Sequence, residues 1–525
     1  MIFGRVKSLD AILATAEKKG LHRSLGAVQL TLFGVGCVIG TGIFVLTAAG
    51  AQKAGPGLII SFIIAGAVCT LAALCYAEIA SMVPVAGSAY TYTYAVMGEL
   101  LAWTVGWALI IEYSIGASAV AAGWSGYFSG TILDHTLGIH LPQALRTGPY
   151  SLGGAEGGVV NLPAAVIALL ITLLLVVGTR ESARLNAVLV AIKVAALTVF
   201  IALTVPKADA AHFSPFMPAG FLGSGGIGVG GAAATMFFAY LGFDAVSTAA
   251  EETKNPQRNV PIGLIGSLLI CTIFYMLVAG GAIGTIGGQP IMGAGGIPLS
   301  TGSPELARQC ALPQYKEALV CSNEALAHVL RAIGYSKLGN WMGYAAFIAL
   351  PSVLLIQLFG QSRIFFVMSR DGLLPPVLAK VHPKWRTPYV VTLITGVGVA
   401  AAAALLPVGK LADVANAGTL YAFFMVALAV LLLRIRDPQR KRAFRTPLIW
   451  VVAPLTMAGT LALYLQLPLS AILVLPAWAV LGLILYFAYG YRSSHLGRGL
   501  TEVHERELHD IAPPIPGVDE PPVAR

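Results

Sequence analysis

Two apolar segments of this chain are interrupted by residues that could bind a small charged molecule through the backbone. The first segment runs from about Val28 to Ala51 and carries Val38-Ile39-Gly40-Thr41-Gly42-Ile43 at its centre. Gly destabilises a helix interior by roughly 1 kcal/mol per residue, and unpaired backbone groups in lipid are costlier still. A break is therefore expected only where the freed N–H and C=O groups face a cavity that a polar ligand can occupy.

The two sides of this first break offer different chemistry. N–H groups that begin near Gly42, at the positive end of a helix, suit a carboxylate. Free carbonyls near Val38 and Ile39 suit an ammonium group or another cation. The alternative is a glycine face that packs against another helix, formed by Gly34, Gly36, Gly40 and Gly42. Spacing alone leaves these two interpretations evenly balanced.

The second interrupted segment is Phe237-Phe238-Ala239-Tyr240-Leu241-Gly242-Phe243-Asp244, about 200 residues later. Its residues from Ala239 to Phe243 can supply carbonyls. Phe238 and Phe243 can form an aromatic gate, although ordinary packing is the simpler role for either ring. Two broken spans in matching halves of a chain are the best sequence indication of a transporter's binding site.

Lys193 lies inside the otherwise apolar run Leu189–Leu203. An ammonium group at that depth costs at least ~2.5–3.5 kcal/mol, and a low dielectric disfavours the charged form. We therefore expect this residue to exchange a proton near physiological pH. The alternative is a side chain that extends to the membrane interface, and the position near the middle of the run favours proton coupling.

Two carboxylates and one amide complete the candidate set. Asp244 would either attract a cationic ligand group or brace the unwound turn, and bracing is slightly favoured. Glu112 could pair with Lys193, relay protons or stabilise an unwound backbone. Gln357 either faces the binding pocket or hydrogen-bonds another helix. The sequence does not decide between the alternatives for Glu112 and Gln357.

The composition indicates that membrane helices position these residues. The 525 residues are 57% hydrophobic and 11% charged, with a mean hydropathy of +0.79, whereas soluble proteins carry about 25% charged residues. The net charge of +9 is spread over short loops, which argues against a nucleic-acid partner. At ~20 apolar residues per crossing, we predict an all-α integral membrane protein with twelve transmembrane helices. They are 28–53, 57–82, 99–129, 161–178, 184–205, 229–252, 260–287, 340–368, 388–406, 411–433, 447–466 and 470–491.

The distribution of Lys and Arg predicts the orientation of these spans. With the N terminus inside, 24 of these residues fall in inside segments and 7 in outside segments. The positive-inside rule then places both termini in the cytoplasm. We expect the protein in the inner (plasma) membrane. Segment 1–27 is a cytoplasmic N-terminal segment, and 492–525 is a polar cytoplasmic tail.

Six cysteines fall into two classes. Cys37, Cys69, Cys75 and Cys271 lie inside apolar spans and are interpreted as small hydrophobic residues. Cys310 and Cys321 lie in the long outer loop 288–339 and could form a disulfide in an oxidising space. The sequence does not decide whether they do. None of the six has metal-site spacing with His, so no metal site is predicted.

Three stretches together resemble one transporter superfamily. Gly36-Cys37-Val38-Ile39-Gly40-Thr41-Gly42-Ile43-Phe44 resembles the first-helix signature of the amino acid–polyamine–organocation (APC) superfamily. The stretch from Phe237 to Pro256 is similar to the sixth helix of its cationic amino acid transporter family. The residues Gln361 to Phe366, continued by Asp371-Gly372-Leu373-Leu374-Pro375, are similar to that family's eighth helix. The likeness covers about residues 20–490.

The resemblance implies a LeuT-like fold with a 5+5 inverted repeat and two added C-terminal helices. The first repeat would span 28–205, the connection 206–228, the second repeat 229–433, and the added helices 447–491. The substrate carboxylate would lie on Thr41 and Gly42, and its amino group on carbonyls near Val38, Ile39, Phe238, Ala239 and Leu241. Lys193 matches a fifth-helix lysine of proton-coupled relatives, and Glu112 matches a third-helix glutamate of the same subgroup.

The sequence thus predicts a proton-coupled L-amino acid symporter for neutral substrates such as alanine, cationic ones such as arginine, or both. The side chain would occupy a pocket near Gln357, Glu112 and Asp244. The alternative is an amino acid exchanger in which Lys193 is a fixed charge; a sensor or a channel is a weaker interpretation. The expected partners are the amino acid, protons and the lipid bilayer, and a small membrane subunit stays an open question. We expect no cofactor and no enzymatic activity, because no nucleophile–base pair occurs at matched depth.

Overall fold

The computed structural model describes residues 5, 25–82, 88–149, 158–178, 183–244, 246, 253–293, 295–315, 317–442 and 444–499. Within these ranges the chain is helical, and β-type pairing consists of two isolated bridges, Leu25 with Thr253 and Met292 with Pro298. The all-α prediction is confirmed for this part of the chain. Most of the predicted N-terminal segment and most of the predicted tail lie outside the described residues.

The helices are numbered in chain order. The α-helices are α1 Ala27–Val38, α2 Thr41–Phe44, α3 Leu46–Ala54, α4 Leu58–Met82, α5 Ser88–Met97, α6 Glu99–Tyr127, α7 Gln143–Arg146, α8 Leu162–Val177, α9 Ala183–Thr204, α10 Gly228–Met236, α11 Pro256–Ile286, α12 Pro304–Cys310, α13 Ala325–Ala332, α14 Ser336–Arg370, α15 Tyr389–Leu405, α16 Val408–Arg436, α17 Ile449–Leu465, α18 Leu469–Leu485 and α19 Tyr491–Ser493. The 3-10 turns are Gly55–Gly57, Val205–Lys207, Ala210–Phe213, Ser224–Gly226, Phe237–Tyr240, Pro313–Tyr315, Leu319–Cys321 and Pro376–Ala379. Two π-helical stretches are Phe128–Leu137 and Tyr486–Gly490.

Helix length and composition support a multi-pass membrane protein. In the described residues, seven helical stretches are long and apolar enough to cross a membrane, and five more apolar helices have 10–17 residues. Eleven of the twelve predicted segments are helical over most of their length; in the segment 229–252 the helix ends at Tyr240, and residues 241–244 form a turn. Two of the five shorter helices, α1 and the stretch Gly228–Tyr240, end at the predicted breaks.

The surface of α8 shows how these helices are suited to lipid. Leu169, Leu170 and Leu173 are exposed, whereas Ala168 and Thr172 are buried. Small residues on the inner face let neighbouring helices approach closely, and large apolar residues on the other face suit a lipid surface. The buried face of α8 packs against α15.

The helices form two packed groups. In the first group, α11 packs against α1 and α4, and α10 packs against α3 and α4. In the second group, α14 packs against α6, and α8 packs against α15. Helix α9 contacts α1 in the first group and α14 in the second, and α16 contacts α4 and α6. The broken segments belong to the first group and face the second.

The loop 288–339 carries a disulfide. Cys310 at the end of α12 is bonded to Cys321, and their Cα atoms are 5.4 Å apart. Helix α13 continues the loop and packs against α14. We call the side of the molecule with this loop the disulfide side. The other four cysteines are buried among apolar residues, as predicted.

Helix α5 differs from the expectation for its sequence. The Tyr-rich segment 85–98 suggests a short helix at the membrane interface, but Tyr90, Tyr92 and Tyr94 are buried in the structure. The helix packs between α6 and α16, and the hydroxyl of Tyr90 donates a 2.8 Å hydrogen bond to Asp371. Tertiary packing therefore covers tyrosines that the local pattern leaves amphipathic, and the interfacial position of the helix stays a prediction.

Candidate functional site

The first predicted break is present where the sequence places it. Helix α1 ends at Val38, and the backbone is extended at Ile39 (φ −70°, ψ 104°) and at Gly40 (φ −154°, ψ −146°). Helix α2 then begins at Thr41. The chain bends again at Val45 (φ −120°, ψ −49°), so α2 has only four residues. The half-helix that was expected to extend from Gly42 is therefore interrupted a second time. An anion at its start would meet the free N–H groups of a short helix and only a small helix dipole.

The second break has a different geometry. Helix α10 ends at Met236, tightens into the 3-10 turn Phe237–Tyr240 and becomes extended at Leu241 (φ −57°, ψ 143°). Gly242 has a φ of +98°, a conformation that side chains with a Cβ rarely adopt. The Gly in this apolar segment thus permits the turn that ends the helical part.

The two breaks cross in direct contact. A Cβ atom at Gly42 would overlap the Cα and Cβ atoms of Ala239, and one at Gly242 would lie 3.0 Å from the carbonyl oxygen of Cys37. Gly42 lies after the first break and Cys37 before it, so the two segments pass each other in opposite directions. Glycine is needed at both positions because the backbones approach too closely for a side chain.

A tyrosine on α11 joins the carbonyls of both breaks. The hydroxyl of Tyr275 lies 2.9 Å from the carbonyl oxygen of Val38 and 2.8 Å from that of Ala239. Both carbonyls were predicted as ligands for an amino group. A hydroxyl has one proton to donate, so two carbonyls that share it keep acceptor capacity for a further donor.

Thr41 presents a hydroxyl to the same region. The residue is buried, and its Oγ1 atom has no hydrogen-bond partner among the described residues. Its methyl group faces Gly123 of α6, where a Cβ atom would meet it. Gly40 faces Val353 of α14 in the same way. A buried hydroxyl without a partner is unfavourable unless a ligand or water pairs with it.

Lys193 reaches the carbonyl end of the first break. Its side chain is only 1% exposed, and its Nζ atom donates a 2.9 Å hydrogen bond to the carbonyl oxygen of Gly36. Gly36 packs so closely against α9 that a Cβ atom at this position would overlap the side chain of Val190. The side chain therefore points into the protein, and the alternative of an extension to the membrane interface does not apply.

Of the three other polar candidates, Glu112 and Gln357 lie on the facing helices α6 and α14, and Asp244 lies in the turn after the second break. Glu112 lies beside the hydroxyl of Thr419 and within electrostatic range of Asp244. Asp244 accepts a 3.3 Å hydrogen bond from the hydroxyl of Tyr113, which links the end of the second break to α6. Gln357 packs at Gly116 of α6. Among the described residues, Oε2 of Glu112 and Oε1 of Gln357 have no hydrogen-bond partner.

The aromatic candidates divide into two environments. Phe243 packs edge to face against Tyr76 and Phe423, with ring centroids 6.0 and 5.1 Å apart. This favours the simpler packing interpretation for Phe243. Phe238 is buried within the 3-10 turn, and its carbonyl accepts the N–H of Leu241 at 3.2 Å. In the resembling sixth-helix stretch, Ala245 and residues 247–252 lie outside the described residues.

Comparison with known proteins identifies the family. A family model described as amino acid permease matches residues 25–487. The chain belongs to the amino acid permease family. The APC resemblance is thereby confirmed, and the permease is a multi-pass membrane protein of a family of transporters.

Several relatives of the permease share most of its length. The branched-chain amino acid permease BcaP of Bacillus subtilis is 43% identical over 95% of this chain and 99% of its own length. The methylthioribose transporter of the same organism is 42% identical over 94% of this chain and 99% of its own length. The vacuolar cationic amino acid transporter 4 of Arabidopsis thaliana is 36% identical over 80% of this chain and 64% of its own length.

The permease also contains a buried ion pair that the sequence analysis missed. Lys53 of α3 donates to Asp413 of α16 at 2.9 Å and to the hydroxyl of Thr235 of α10 at 2.5 Å. Thr235 in turn donates to Asp413 at 2.6 Å. Asn416 completes the cluster with a 2.7 Å hydrogen bond to the carbonyl of Ala234. Lys53 and Asp413 lie at the ends of predicted spans, where charged residues are common, so only the fold shows that they are buried together.

Proposed function

We propose that this permease is a proton-coupled L-amino acid symporter of the plasma membrane. The observation that carries the proposal is that the two helix breaks are in contact and that Lys193 binds a backbone carbonyl at the end of α1, before the first break. Opposed breaks of this kind create a site for a zwitterion within a membrane. In this account the disulfide side faces outward and both termini are cytoplasmic. The twelve helical segments then form the LeuT-like repeat and its two added helices.

Recognition of the amino acid backbone follows from the breaks. The substrate carboxylate would accept from the N–H groups at Thr41 and Gly42 and from the Thr41 hydroxyl, whose oxygen has no partner among the described residues. The ammonium group would donate to carbonyls near Ile39 and Phe238 and share those of Val38 and Ala239 with Tyr275. Because all these groups except the hydroxyl belong to the backbone, this part of recognition is common to all L-amino acids.

Side-chain preference would come from the facing helices α6 and α14 and from the end of the second break. Glu112, Asp244 and Gln357 surround the region beyond the breaks, and two of them present oxygens that have no partner in the described chain. Carboxylates would suit a cationic substrate side chain, whereas the apolar Val353, which faces Gly40 of the first break, suits a neutral one. Relatives named for branched-chain and for cationic amino acids agree with this mixed lining.

Lys193 would couple the proton to the transport step. A protonated amine makes a charge-assisted hydrogen bond that is roughly twice as strong as a neutral one. Protonation from the outside would therefore hold α1 against α9 through the Gly36 carbonyl. Release of the proton to the cytoplasm would weaken this contact and let the first helix group move relative to the second. The contacts of α9 with α1 and α14 place it at the boundary between the two groups.

A second candidate substrate comes from one relative. The 42% identity to a methylthioribose transporter makes a neutral sugar thioether the competing substrate class. Such a molecule lacks both the carboxylate and the ammonium group, so the breaks would have to bind hydroxyl groups instead. The helix breaks favour the amino acid, because they offer N–H groups on one side and carbonyls on the other.

Competition for binding separates these substrates. The purified full-length protein is expected to bind labelled L-leucine, and L-alanine should compete at comparable concentrations. D-leucine and methylthioribose should compete at least tenfold more weakly. Thr41→Val should weaken leucine binding, while Thr198→Val, on an exposed face of α9, should leave it unchanged. Stronger competition by methylthioribose than by every amino acid would contradict the proposal.

A further inference from the structure

A cavity of about 290 Å³ lies on the disulfide side of the first break. Its volume is near the lower end of the roughly 300–1,000 Å³ range of small-molecule sites. The floor is formed by Val45, Ala48 and Ala49, and the roof by the loop from Val320 to Glu324. We call this cavity the upper chamber. It is separate from the helix breaks, since none of the residues 36–44 or 237–244 lines it.

The upper chamber lies directly above the proposed substrate site. A Cβ atom at Gly123 of α6 would meet both the methyl group of Thr41 and that of Val45. Thr41 and Val45 are four residues apart, which corresponds to about 6 Å along a helix. Phe44 between them is held by a 2.6 Å hydrogen bond from the hydroxyl of Tyr127 to its carbonyl. A molecule that moves from the disulfide side to Thr41 would therefore pass through or beside the chamber.

One wall of the chamber is π-helical. Ser129 and Gly130 belong to the π-helical stretch Phe128–Leu137, and π-helical turns within α-helices are frequent at functional sites. Ser129 is 3% exposed and lines the chamber, yet its hydroxyl has no hydrogen-bond partner among the described residues. Next to it, Asn161 donates a 2.7 Å hydrogen bond to the hydroxyl of Ser125, and both residues line the chamber.

The charges of the chamber wall are balanced. Glu324 is ion-paired with Arg331 and accepts a 2.6 Å hydrogen bond from Thr131. Arg146 is ion-paired with Asp134 at 2.5 Å. The wall therefore offers local charges of both signs without a net excess of either. Complementarity of charge favours a ligand that also carries one positive and one negative group.

From this lining we infer that the upper chamber is a second binding site for a zwitterionic, net-neutral amino acid, occupied before the amino acid reaches the helix breaks. The inference rests on the proposed function for its substrate class. The site that it assigns is additional to the one at the helix breaks. The ammonium group would lie near Glu324, and the carboxylate group would lie near Arg146. The hydroxyl of Ser129 would supply a polar contact inside the chamber.

Equilibrium binding to the purified full-length protein tests this site. With labelled L-leucine up to millimolar concentrations, we expect two molecules per chain in the wild type and one in Thr41→Val, which retains the chamber. Ser129→Phe, which fills the chamber, should also leave one. Leucinamide and 4-methylpentanoate each lack one charged group and should not displace the leucine that Thr41→Val retains. One molecule per chain in the wild type and none in Thr41→Val would overturn the inference.

Cysteine protection provides a second test that does not depend on filling the chamber. In Ser129→Cys combined with Thr41→Val, L-leucine should slow modification by a small thiol reagent at least fivefold. Ser336→Cys, exposed on α14, should react at the same rate with and without leucine. If leucine protects the introduced cysteine in the single variant Ser129→Cys but not in the double variant with Thr41→Val, the inference is overturned and the proposed function stands. Protection in the double variant, together with no transport by the wild type, would uphold the chamber and reject the proposed function.

Discussion

The Nζ atom of Lys193 donates a 2.9 Å hydrogen bond to the carbonyl oxygen of Gly36, although the two residues are 157 positions apart. Gly36 lies in the last turn of α1, just before the backbone becomes extended. The side chain of Lys193 is almost completely buried. One amine therefore links α9 to the end of the first broken segment, and in the proposed mechanism its protonation state sets how strongly it holds that segment.

Replacing Tyr275 by Phe should weaken substrate binding. The hydroxyl lies within 2.9 Å of one carbonyl from each break, so its removal lets the two segments separate. Loss of a hydrogen bond of about 0.5–1.5 kcal/mol corresponds to a roughly two- to tenfold higher Kd. Tyr240→Phe is the matched control, because the Tyr240 hydroxyl donates to the Phe62 carbonyl on α4 instead. Equal effects of both variants on leucine binding would contradict this role.

Gly42→Ala should abolish most transport. The added methyl group would overlap the backbone of Ala239, and overpacking of this kind costs about 1–3 kcal/mol. Gly398→Ala, on α15, meets no atom within 4 Å and should change stability by less than about 1 kcal/mol. Initial uptake rates in proteoliposomes, normalised to folded protein, measure the difference. Unimpaired uptake by Gly42→Ala would show that the breaks do not touch during transport.

The buried pair of Lys53 and Asp413 should stabilise the fold as a unit. Removal of one charge leaves the other buried without its counter-ion, which costs about 3–5 kcal/mol. We therefore expect Lys53→Met and Asp413→Leu each to lower the Tm of the detergent-solubilised protein. The double variant should regain most of the loss, because neither charge is then buried alone. A double variant whose loss equals the sum of the single losses would show that the two residues are not coupled.

The upper chamber gives a pH-dependent prediction. Burial raises the pKa of Glu324 above its ordinary value of 4.5, while the Arg331 guanidinium and the Thr131 hydroxyl act in the opposite direction. The folded protein thus holds this proton to higher pH than the unfolded chain does. The associated stability is fully present below about pH 4.5 and is lost as the pH rises through the folded pKa.

Glu324→Gln removes this titration and provides the measurement. The Tm of the wild type minus that of Glu324→Gln should decrease from pH 4 to pH 7. Glu305→Gln, at an exposed position of α12, should show a constant difference. A difference for Glu324→Gln that grows with pH would mean that the ion pair with Arg331 outweighs the burial of the carboxyl group.

The helix breaks could be predicted because their cause is local. Gly40 and Gly42 flank Thr41 inside an apolar segment, and glycine destabilises a continuous helix there. In the second break, Gly242 adopts a positive φ that few other residues tolerate. The inward position of Lys193 could be predicted for a similar reason. A single charge in a long apolar run is costly in lipid, so it almost always faces the interior of the protein.

The contacts between distant segments could not be predicted. Tyr275 follows another aromatic residue, Phe274, in an apolar helix, and nothing in the local pattern indicates that its hydroxyl reaches Val38. Lys53 and Asp413 lie near span ends and are 360 positions apart. Only the packing of α3 against α10 and α16 buries them, and that packing has no local signature.

The central claim is that Lys193 couples a proton gradient to amino acid movement. The most direct test is accumulation of labelled L-alanine, L-leucine and L-arginine in sodium-free proteoliposomes, with and without an inward proton gradient. The wild type should accumulate at least one of these above equilibrium when the gradient is present. Lys193→Ala and Lys193→Arg should not, because Ala carries no proton and Arg does not release one. Lys207→Ala, at an exposed position beyond α9, is the control and should accumulate substrate normally. Accumulation by Lys193→Arg equal to that of the wild type, or uptake by the wild type only into vesicles preloaded with amino acid, would contradict proton coupling through Lys193.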